Sequence, residues 1–587
     1  MVHSVALWLT LSFAQELPAI DWQDWSPAVF TRATSEHKLV LLDLGAVWCH
    51  WCHVMESTTY ADAAVVKLIR SGYLAVRVDQ DARPDLATRY EDYGWPATIL
   101  FNAKGEELAK LRGYIEPARM ASLLQAFLDD PTPGPSVLPQ SNTVAAGSET
   151  LSEPERAALL QQLEQGYDAE HGGWGHVHKY LLAENVEFEL RRAMTGNAAA
   201  AARARETLDR QRQLIDPVWG GVYQYSHGGV WSNPHFEKIM AMQADNLRLY
   251  AMAAAQFDDA RYLQAAQSIH RYLVDFLCSE DGAFFTSQDA DVIQGEHAGE
   301  YFAHDDAGRR ALGMPRIDRH VYARENGWAI EALCELYAVA GDAQVLAEAK
   351  RAADWIIAHR AQDDGGFRHD AEDPAGPYLA DSLAMGRALL ALYVVSGERA
   401  WLERAARCAT FIASRFATAD ATGYFTAPAA AGTPASWQPS RQIDENVALA
   451  RWGQLLARYT GDEAHRTLAR CAARLLSAPA VARRRGFATG GLLLADLEAR
   501  EEPAHVTVVG SKQDASAREL FLAALRHPVQ NKRIDWFDAA EGPLANPDVD
   551  TPRCPARRRS VRRRPLAPRR SPIRARLRDA LRKLLRE

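Results

Sequence analysis

Between Leu39 and Leu44 nearly every side chain is apolar (Leu39-Val40-Leu41-Leu42-Asp43-Leu44), the pattern of a strand covered on both faces. Tyr73–Asp79 (YLAVRVD) repeats it. Ile99-Leu100-Phe101, entered through Gly94-Trp95-Pro96-Ala97-Thr98, leads into the turn Asn102-Ala103-Lys104-Gly105, which predicts a third strand ending in a hairpin. Between the first two strands Gly45 breaks the apolar run, and Trp48–Glu56 (WCHWCHVME) takes helical spacing. Pro117 opens a further amphipathic helix through Leu128. The alternation predicts an α/β domain over residues 21–129.

Residues 130–150 read DPTPGPSVLPQSNTVAAGSET, a linker in which no apolar period survives. Beyond it strand signals nearly vanish. Ala/Leu/Arg-rich helical patterns occupy Asp245–Phe257, Asp259–Leu277, Asn326–Ala340, Gln344–His359, Asp381–Ser396 and Ala400–Phe416, joined by short loops as antiparallel hairpins. A glycine-plus-aromatic turn recurs at Gly172-Gly173-Trp174, Gly220-Gly221-Val222-Tyr223, Gly282-Ala283-Phe284-Phe285, Gly365-Gly366-Phe367, Gly423-Tyr424-Phe425 and, more weakly, Gly486-Phe487. The spacing is too irregular for a tight solenoid. Six hairpins closed into an (α/α)6 toroid over residues 151–548 fit better, with the turns at one mouth and their aromatics lining a central cleft.

Composition narrows the class. At 587 residues, 48% apolar and 24% charged, the chain is a soluble globular protein of more than one domain. No uninterrupted apolar run reaches the roughly 18 residues of a membrane span. The net charge of −8 conceals an asymmetry, because residues 551–587 hold fifteen Lys and Arg against Asp579 and Glu587. The remaining body is strongly acidic, which argues against a nucleic-acid binder. The tail over 549–587 reads either as a basic arm that contacts anions or as GC-rich DNA translated out of frame. At the other end, residues 1–20 include an apolar stretch, Val5–Ala14, closed by Ser12-Phe13-Ala14. A cleavable leader and a periplasmic or exported location are expected, with a cytoplasmic location as the alternative.

The seven cysteines do not form a disulfide framework. Cys554 lies in the tail, and Cys278, Cys334, Cys408 and Cys471 sit in apolar helical contexts as small core residues. Cys49 and Cys52 stand one helical turn apart at a helix N-terminus, where the dipole and free N–H groups favour a thiolate. Cys49 is placed to attack and Cys52 to resolve the mixed disulfide. Protonated His50 and His53 would favour the Cys49 thiolate further. Three other readings compete: c-type haem attachment through Cys49-x-x-Cys52-His53, zinc through Cys49, His50, Cys52 and His53, and a domain that keeps its shape without redox turnover. No cofactor and no resident metal are expected.

The segment LLDLGAVWC resembles the strand-to-active-site segment of thioredoxins. That resemblance implies a thioredoxin-like fold, with Asp43 as the buried acid that moves protons to and from Cys52. It also implies that Pro96 is the cis-proline facing the disulfide, with Trp95 beside it contacting the substrate. The expected partner is a protein or small-molecule disulfide or thiol.

In the helical domain, Tyr225, Trp231, His235, Glu237 and Lys238 combine aromatics, an imidazole and a charge pair in non-helical surroundings, and Asp289 and Asp291 add two acids at alternate positions. Aromatic platforms with acids and histidine suit a carbohydrate ring. The same residues have structural readings: a solvated pair at Glu237–Lys238, caps at Asp289 and Asp291, a loop imidazole at His235.

Together CHWCHVM, NPHFEKIMAMQADNL, GAFFTSQDAD and GEYF resemble the spermatogenesis-associated, thioredoxin-like protein family over residues 21–547. The resemblance implies a thioredoxin-like domain joined to a six-hairpin toroid, and a small closing strand at Val506–Gly510. The chain departs from the family pattern at HGGWGHVHKYLL and at Ala241-Met242 after the PHFEK segment. The leading function is a thiol–disulfide redox protein whose toroid binds a carbohydrate or protein. The alternatives are a sugar-processing enzyme of epimerase, isomerase or glycosidase type using His235, Glu237, Asp289 or Asp291, and a non-catalytic ligand-binding scaffold.

Overall fold

Val40, Leu41, Leu42 and Leu44 have no exposed surface, and each buried aliphatic side chain contributes about 1.5–3 kcal/mol. Their strand is therefore central. The computed structural model describes residues 19–137, 146–373, 375–428 and 439–546. Residues 1–18 of the leader expected over 1–20, and the basic tail over 549–587 with Cys554, lie outside the described residues. The chain divides into two compact units: one holds the chain up to Gln80 with Tyr90–Pro139, the other Asp81–Arg89 with the chain from Gln140 onward.

In the first unit β1 (Trp22–Gln23), β2 (Leu39–Gly45), β3 (Tyr73–Asp79), β4 (Ala97–Phe101) and β5 (Glu107–Arg112) form one sheet in the order β1-β3-β2-β4-β5. β1, β3 and β2 are parallel, and β4 and β5 add an antiparallel hairpin. Leu41 on β2 and Leu100 on β4 share a core with Met120 and Leu124. The helices are α1 (Pro27–Glu36), α2 (His50–Ser57), α3 (Ala63–Gly72), α4 (Pro84–Tyr90) and α5 (Pro117–Asp129), of which α4 falls largely in the second unit. The α3 start is fixed by Asp62, whose carboxylate accepts from the N–H groups of Ala64 and Val65. The mixed sheet, with α2 following its central strand β2, is the thioredoxin-like arrangement that the resemblance implied.

The second unit carries the helices α6 (Glu153–Gln165), α7 (Ala183–Met194), α8 (Ala198–Gln211), α9 (Met240–Phe257), α10 (Ala260–Phe276), the short α11 (Gly299–Ala303) and α12 (Asp306–Leu312), α13 (Ala323–Ala340), α14 (Ala343–Arg360), α15 (Leu379–Ser396), α16 (Arg399–Arg415), α17 (Ile443–Thr460), α18 (Glu463–Leu476), the short α19 (Pro479–Arg484), α20 (Gly490–Arg500) and α21 (Ala515–Arg526). Helices α7, α9, α13, α15, α17 and α20 pack each on the next, and α20 returns to α7. They are the inner ring of an (α/α)6 toroid, and α8, α10, α14, α16 and α18 each cover the inner helix that precedes them. The sixth pair is made by the two ends of the ring. Helix α6 packs on α20, where Asp496 accepts from Leu151 N (2.9 Å) and pairs with Arg156 (2.7 Å).

Inner helices lose one-sided amphipathicity because both flanks are covered. Among the described helices only α15 is long and apolar enough to cross a membrane, and 78% of it is buried as a core helix. Close approach needs glycine here: a β-carbon on Gly327 of α13 would stand 2.6 Å from the Ala384 backbone of α15.

Short strands join the hairpins, more of them than the helical pattern foretold. β6 (His178–Lys179), β7 (Tyr225–His227) and β8 (Pro234–His235) form one small sheet; β9 (Lys238–Ile239), β10 (Ser287–Gln288) and β11 (Ile317–Asp318) form another. β12 (Ala504–Val509), the expected closing strand, pairs in parallel with β13 (Lys532–Phe537) across α21.

Five glycine turns share one construction. Antiparallel bridges close them at Tyr167–Trp174, Ile215–Val222, Cys278–Phe284, Ala361–Phe367 and Ala417–Tyr424. Of their aromatics Tyr223 lines the central cavity as expected, whereas Trp174, Phe284, Phe367 and Tyr424 are buried in the helical core and do not. The reason lies in the first turns of the inner helices. Gln243 and Asn326 each hold the backbone N–H and C=O of a turn residue, Val222 and Phe284, and Asn446 does the same for Tyr424. These clamps draw the turns into the helix packing.

Candidate functional site

β2 ends at Gly45, and the chain turns through Ala46–Trp48 so that Cys49 caps α2. Cys49 Sγ accepts from Cys52 N at 3.2 Å, and the two cysteines are disulfide-bonded with their Cα atoms 5.2 Å apart. Cys49 is buried, whereas Trp51 between the cysteines is 42% exposed. A β-carbon at Gly45 would lie 3.2 Å from Cys52 Sγ, so a side chain there would press on the disulfide. On reduction, the α2 dipole and the amide on Cys49 Sγ favour thiolate over thiol.

Asp43 shares the β2 face with Gly45, two residues along. Tyr60 OH donates to its Oδ1 (3.2 Å) and Arg77 Nε to its Oδ2 (3.0 Å), and Arg77 reaches on to Glu56 (2.6 Å). Burial pushes the Asp43 carboxyl up, against the opposing pull of Arg77 and Tyr60. His53 is buried with Nε2 3.1 Å from Val47 O, and the His50 ring meets Trp51 edge-on at 5.3 Å. Trp51 also approaches Tyr114 (5.8 Å between rings). The Trp95–Pro96 peptide is cis, with Trp95 half-buried, and Pro96 O accepts from Gly113 N at 2.8 Å.

The residues singled out in the helical domain fall on the connecting segments. Tyr225 and His235 stack at 4.3 Å across β7 and β8. Trp231 is buried against Gly173, with its Nε1 donating to His171 O (2.9 Å). Lys238 is fully buried on Asp216 (2.8 Å) and Gly220 O (2.8 Å), and Arg309 binds the same carboxylate at 2.7 Å. Burial pulls the Lys238 ammonium down to about 8, with Asp216 opposing. Lys179 repeats the arrangement on Asp168 (2.7 Å) and Gly172 O (3.0 Å), so both lysines clamp a glycine turn. Glu237 is buried. Asp289 Oδ1 accepts from Asp291 N (3.0 Å) and Asp291 Oδ2 from Gly295 N (2.8 Å).

None of these seven lines the central cavity, which holds about 770 Å³ inside the inner ring. Its wall includes charged residues of the inner helices that the helical pattern did not bring forward. Glu187 of α7 is fully buried and bound by Arg451 (2.5 Å), Arg248 (2.7 Å) and Arg191 (2.8 Å). Burial alone would raise its pKa, but the three guanidinium groups hold it well below the usual carboxylate range. Across the ring Glu331 of α13 pairs with Arg387 of α15 (2.9 Å). The available signal was a Glu or Arg recurring inside Ala/Leu-rich helices at positions otherwise apolar.

Comparison with known proteins follows the same division. A family model described as "Protein of unknown function, DUF255" (Thioredox_DsbH) matches residues 10–126. Spermatogenesis-associated protein 20 of Homo sapiens is 26% identical over 308 residues, 46% of this chain and 39% of that protein, so the match spans about two fifths of the relative's length. A thioredoxin-like protein of Synechocystis sp. is 30% identical over 91 residues, 16% of this chain and 83% of that protein. Among solved structures, the cellobiose 2-epimerase of Bacillus thermoamylovorans overlies 54% of this chain and 85% of its own, with 13% identity and a TM-score of 0.43.

Proposed function

The chain belongs to the spermatogenesis-associated, thioredoxin-like family, and from that premise we propose that it is a thiol–disulfide redox protein. The observation that carries the reading is the Cys49–Cys52 disulfide at the start of α2, with Cys49 Sγ on the Cys52 amide. In the proposed cycle the Cys49 thiolate attacks a substrate disulfide, expelling one thiolate and forming a mixed disulfide. Cys52 then attacks Cys49 Sγ, releasing the reduced substrate and restoring the internal bond. Asp43 takes the Cys52 proton in this reading, and Trp95 with Pro96 orients the partner. A protein or small-molecule thiol or disulfide is the partner class. A periplasmic or exported location accompanies the proposal, resting on the apolar segment Val5–Ala14; in a reducing cytosol the pair would stand as a dithiol.

Equilibration in glutathione redox buffers tests it. A two-electron potential between about −120 and −270 mV supports the reading. A pair that never closes, or disulfide exchange unchanged in Cys49→Ser, sinks it.

The second reading concerns the toroid, and the cavity of about 770 Å³ favours it. Ligand sites are concave, of roughly 300–1,000 Å³, with convergent polar groups. A carbohydrate is the ligand class proposed, held by a scaffold or processed by an enzyme. Turnover lost in Glu331→Gln, on the cavity wall, with the cysteines dispensable, favours the enzyme; saturable stabilisation without turnover favours the scaffold.

A further inference from the structure

The inner helices are parallel, so the cavity has an N-terminal and a C-terminal end. At the C-terminal end Arg526, Pro528 and Lys532, from the segment joining α21 to β13, line the cavity, and β13 packs on α17. At the N-terminal end the lining includes Tyr180, 38% exposed, and Asp444, also exposed, with Glu184 beside them half-buried. Exposed lining residues therefore stand at both ends, Arg526 at the C-terminal end and Tyr180 and Asp444 at the N-terminal end.

Three elements bring charge to the N-terminal end. Glu184 is the second residue of α7, Asp444 the second of α17, and Arg485 comes from the loop before α20. An Arg485 Nη lies 2.6 Å from Asp444 Oδ1 and 3.7 Å from Glu184 Oε2. The Glu184 carboxylate sits where glycine leaves room for it: a β-carbon on Gly491 would stand 2.0 Å from Glu184 Oε2, and one on Gly490 2.5 Å from the Glu184 backbone. Two consecutive glycines at the start of α20 are poor for helix propensity, and here they make space for one carboxylate. Trp328 of α13 lines the same cavity, with the Arg324 guanidinium 5.0 Å from its ring.

Charge selects the ligand class. Among the described residues nine Lys and Arg side chains and eight Asp and Glu side chains line the cavity. The lining as a whole thus carries little net charge to draw in an anion or a cation, and its paired carboxylates and guanidinium groups present acceptors and donors that hydroxyl groups can share. We propose that the N-terminal end of the cavity, at Tyr180, Glu184, Asp444 and Arg485, with Trp328 further round the same lining, is the binding subsite for a neutral polyhydroxylated ring, one or two sugar units in size. The aromatics take its apolar face and the carboxylates its hydroxyls. This rests on the cavity reading above.

Burial first, then Asp444, pushes the Glu184 carboxyl up to about 7, against Arg485 and Arg451, with Glu187 adding to the rise. Near neutrality Glu184 both donates and accepts, and the balance shifts with pH.

The test is calorimetric titration of the full chain with D-glucose, D-mannose and cellobiose. Saturable binding of at least one sugar is expected, weakened about tenfold or more in Glu184→Ala and in Asp444→Ala. In Glu184→Gln, which keeps the shape, the dependence of affinity on pH from about 6 to 8 flattens. Circular dichroism matched to wild type shows that each variant is folded. Binding retained in both alanine variants but lost in Arg387→Ala overturns the subsite and leaves the cavity reading standing. No binding of any of the three sugars by wild type overturns both.

Discussion

Arg77 Nε donates to Asp43 Oδ2 at 3.0 Å while Tyr60 OH holds Oδ1, so the one acid on the disulfide side of the central strand is engaged at both oxygens. Burial nonetheless dominates and raises its pKa. A carboxyl with a raised folded pKa binds more protons folded than unfolded between the two values, so stability falls as pH rises from the ordinary carboxylate range through the folded pKa. Asp43→Asn therefore raises the melting temperature near neutral pH, and the gain shrinks on acidification. In the same variant, reduction of the disulfide by dithiothreitol slows by roughly a hundredfold if Asp43 relays the Cys52 proton. Thermal melts across pH and stopped-flow reduction check the two halves separately.

Lys238 gives the opposite sign. Its folded pKa of about 8 lies below the free-lysine value. The folded state thus binds fewer protons across the alkaline window, and this group's contribution to stability rises from about pH 8 towards about pH 10. The loss of one proton is tolerated because Arg309 remains on Asp216 at 2.7 Å. Melting temperatures of wild type and Lys238→Met over that window are expected to diverge in this direction; parallel curves contradict the assignment.

Removing the Glu187 charge leaves three guanidinium groups around one buried point with only Glu498, beside Arg451 and Arg191, and Asp245, beside Arg248, to offset them. Glu187→Gln is expected to cost at least about 3–5 kcal/mol, the range for breaking a buried ion pair. Adding Arg451→Met to that variant restores part of the loss. Urea denaturation of the single and double variants measures the coupling.

At Gly327, helix propensity and packing oppose each other. Alanine is favoured over glycine in a helix interior by about 1 kcal/mol. The β-carbon, however, meets the Ala384 backbone at 2.6 Å, and overpacking of that kind costs about 1–3 kcal/mol. Gly327→Ala is expected to lower stability; a more stable variant shows that α13 and α15 part easily.

The thioredoxin-like domain was legible because its signals are local. Leu39–Leu44 must be a central strand whatever surrounds it, and Cys49 and Cys52 are one turn apart in any helix that follows Gly45. The glycine turns likewise announced the six-hairpin ring, since each is a short-range break between long periodic segments. Aromatics such as Phe284 and Tyr424 were misplaced, because the amide clamps that draw them inward stand 22 to 42 positions further along the chain, as Asn446 does for Tyr424 and Asn326 for Phe284.

What the amino-acid order determined by itself is therefore periodicity: strands, helices, turns and the dithiol spacing. Tertiary structure alone decided which charges meet. Lys238 stands next to Glu237 in the chain, yet its partner is Asp216, because closing the glycine turn buries both. Glu187 meets Arg451, 264 positions away, because ring closure puts α7 and α17 on either side of α20. Electrostatic partners depend on distance in space and on the water excluded between them, and no spacing along a chain encodes either.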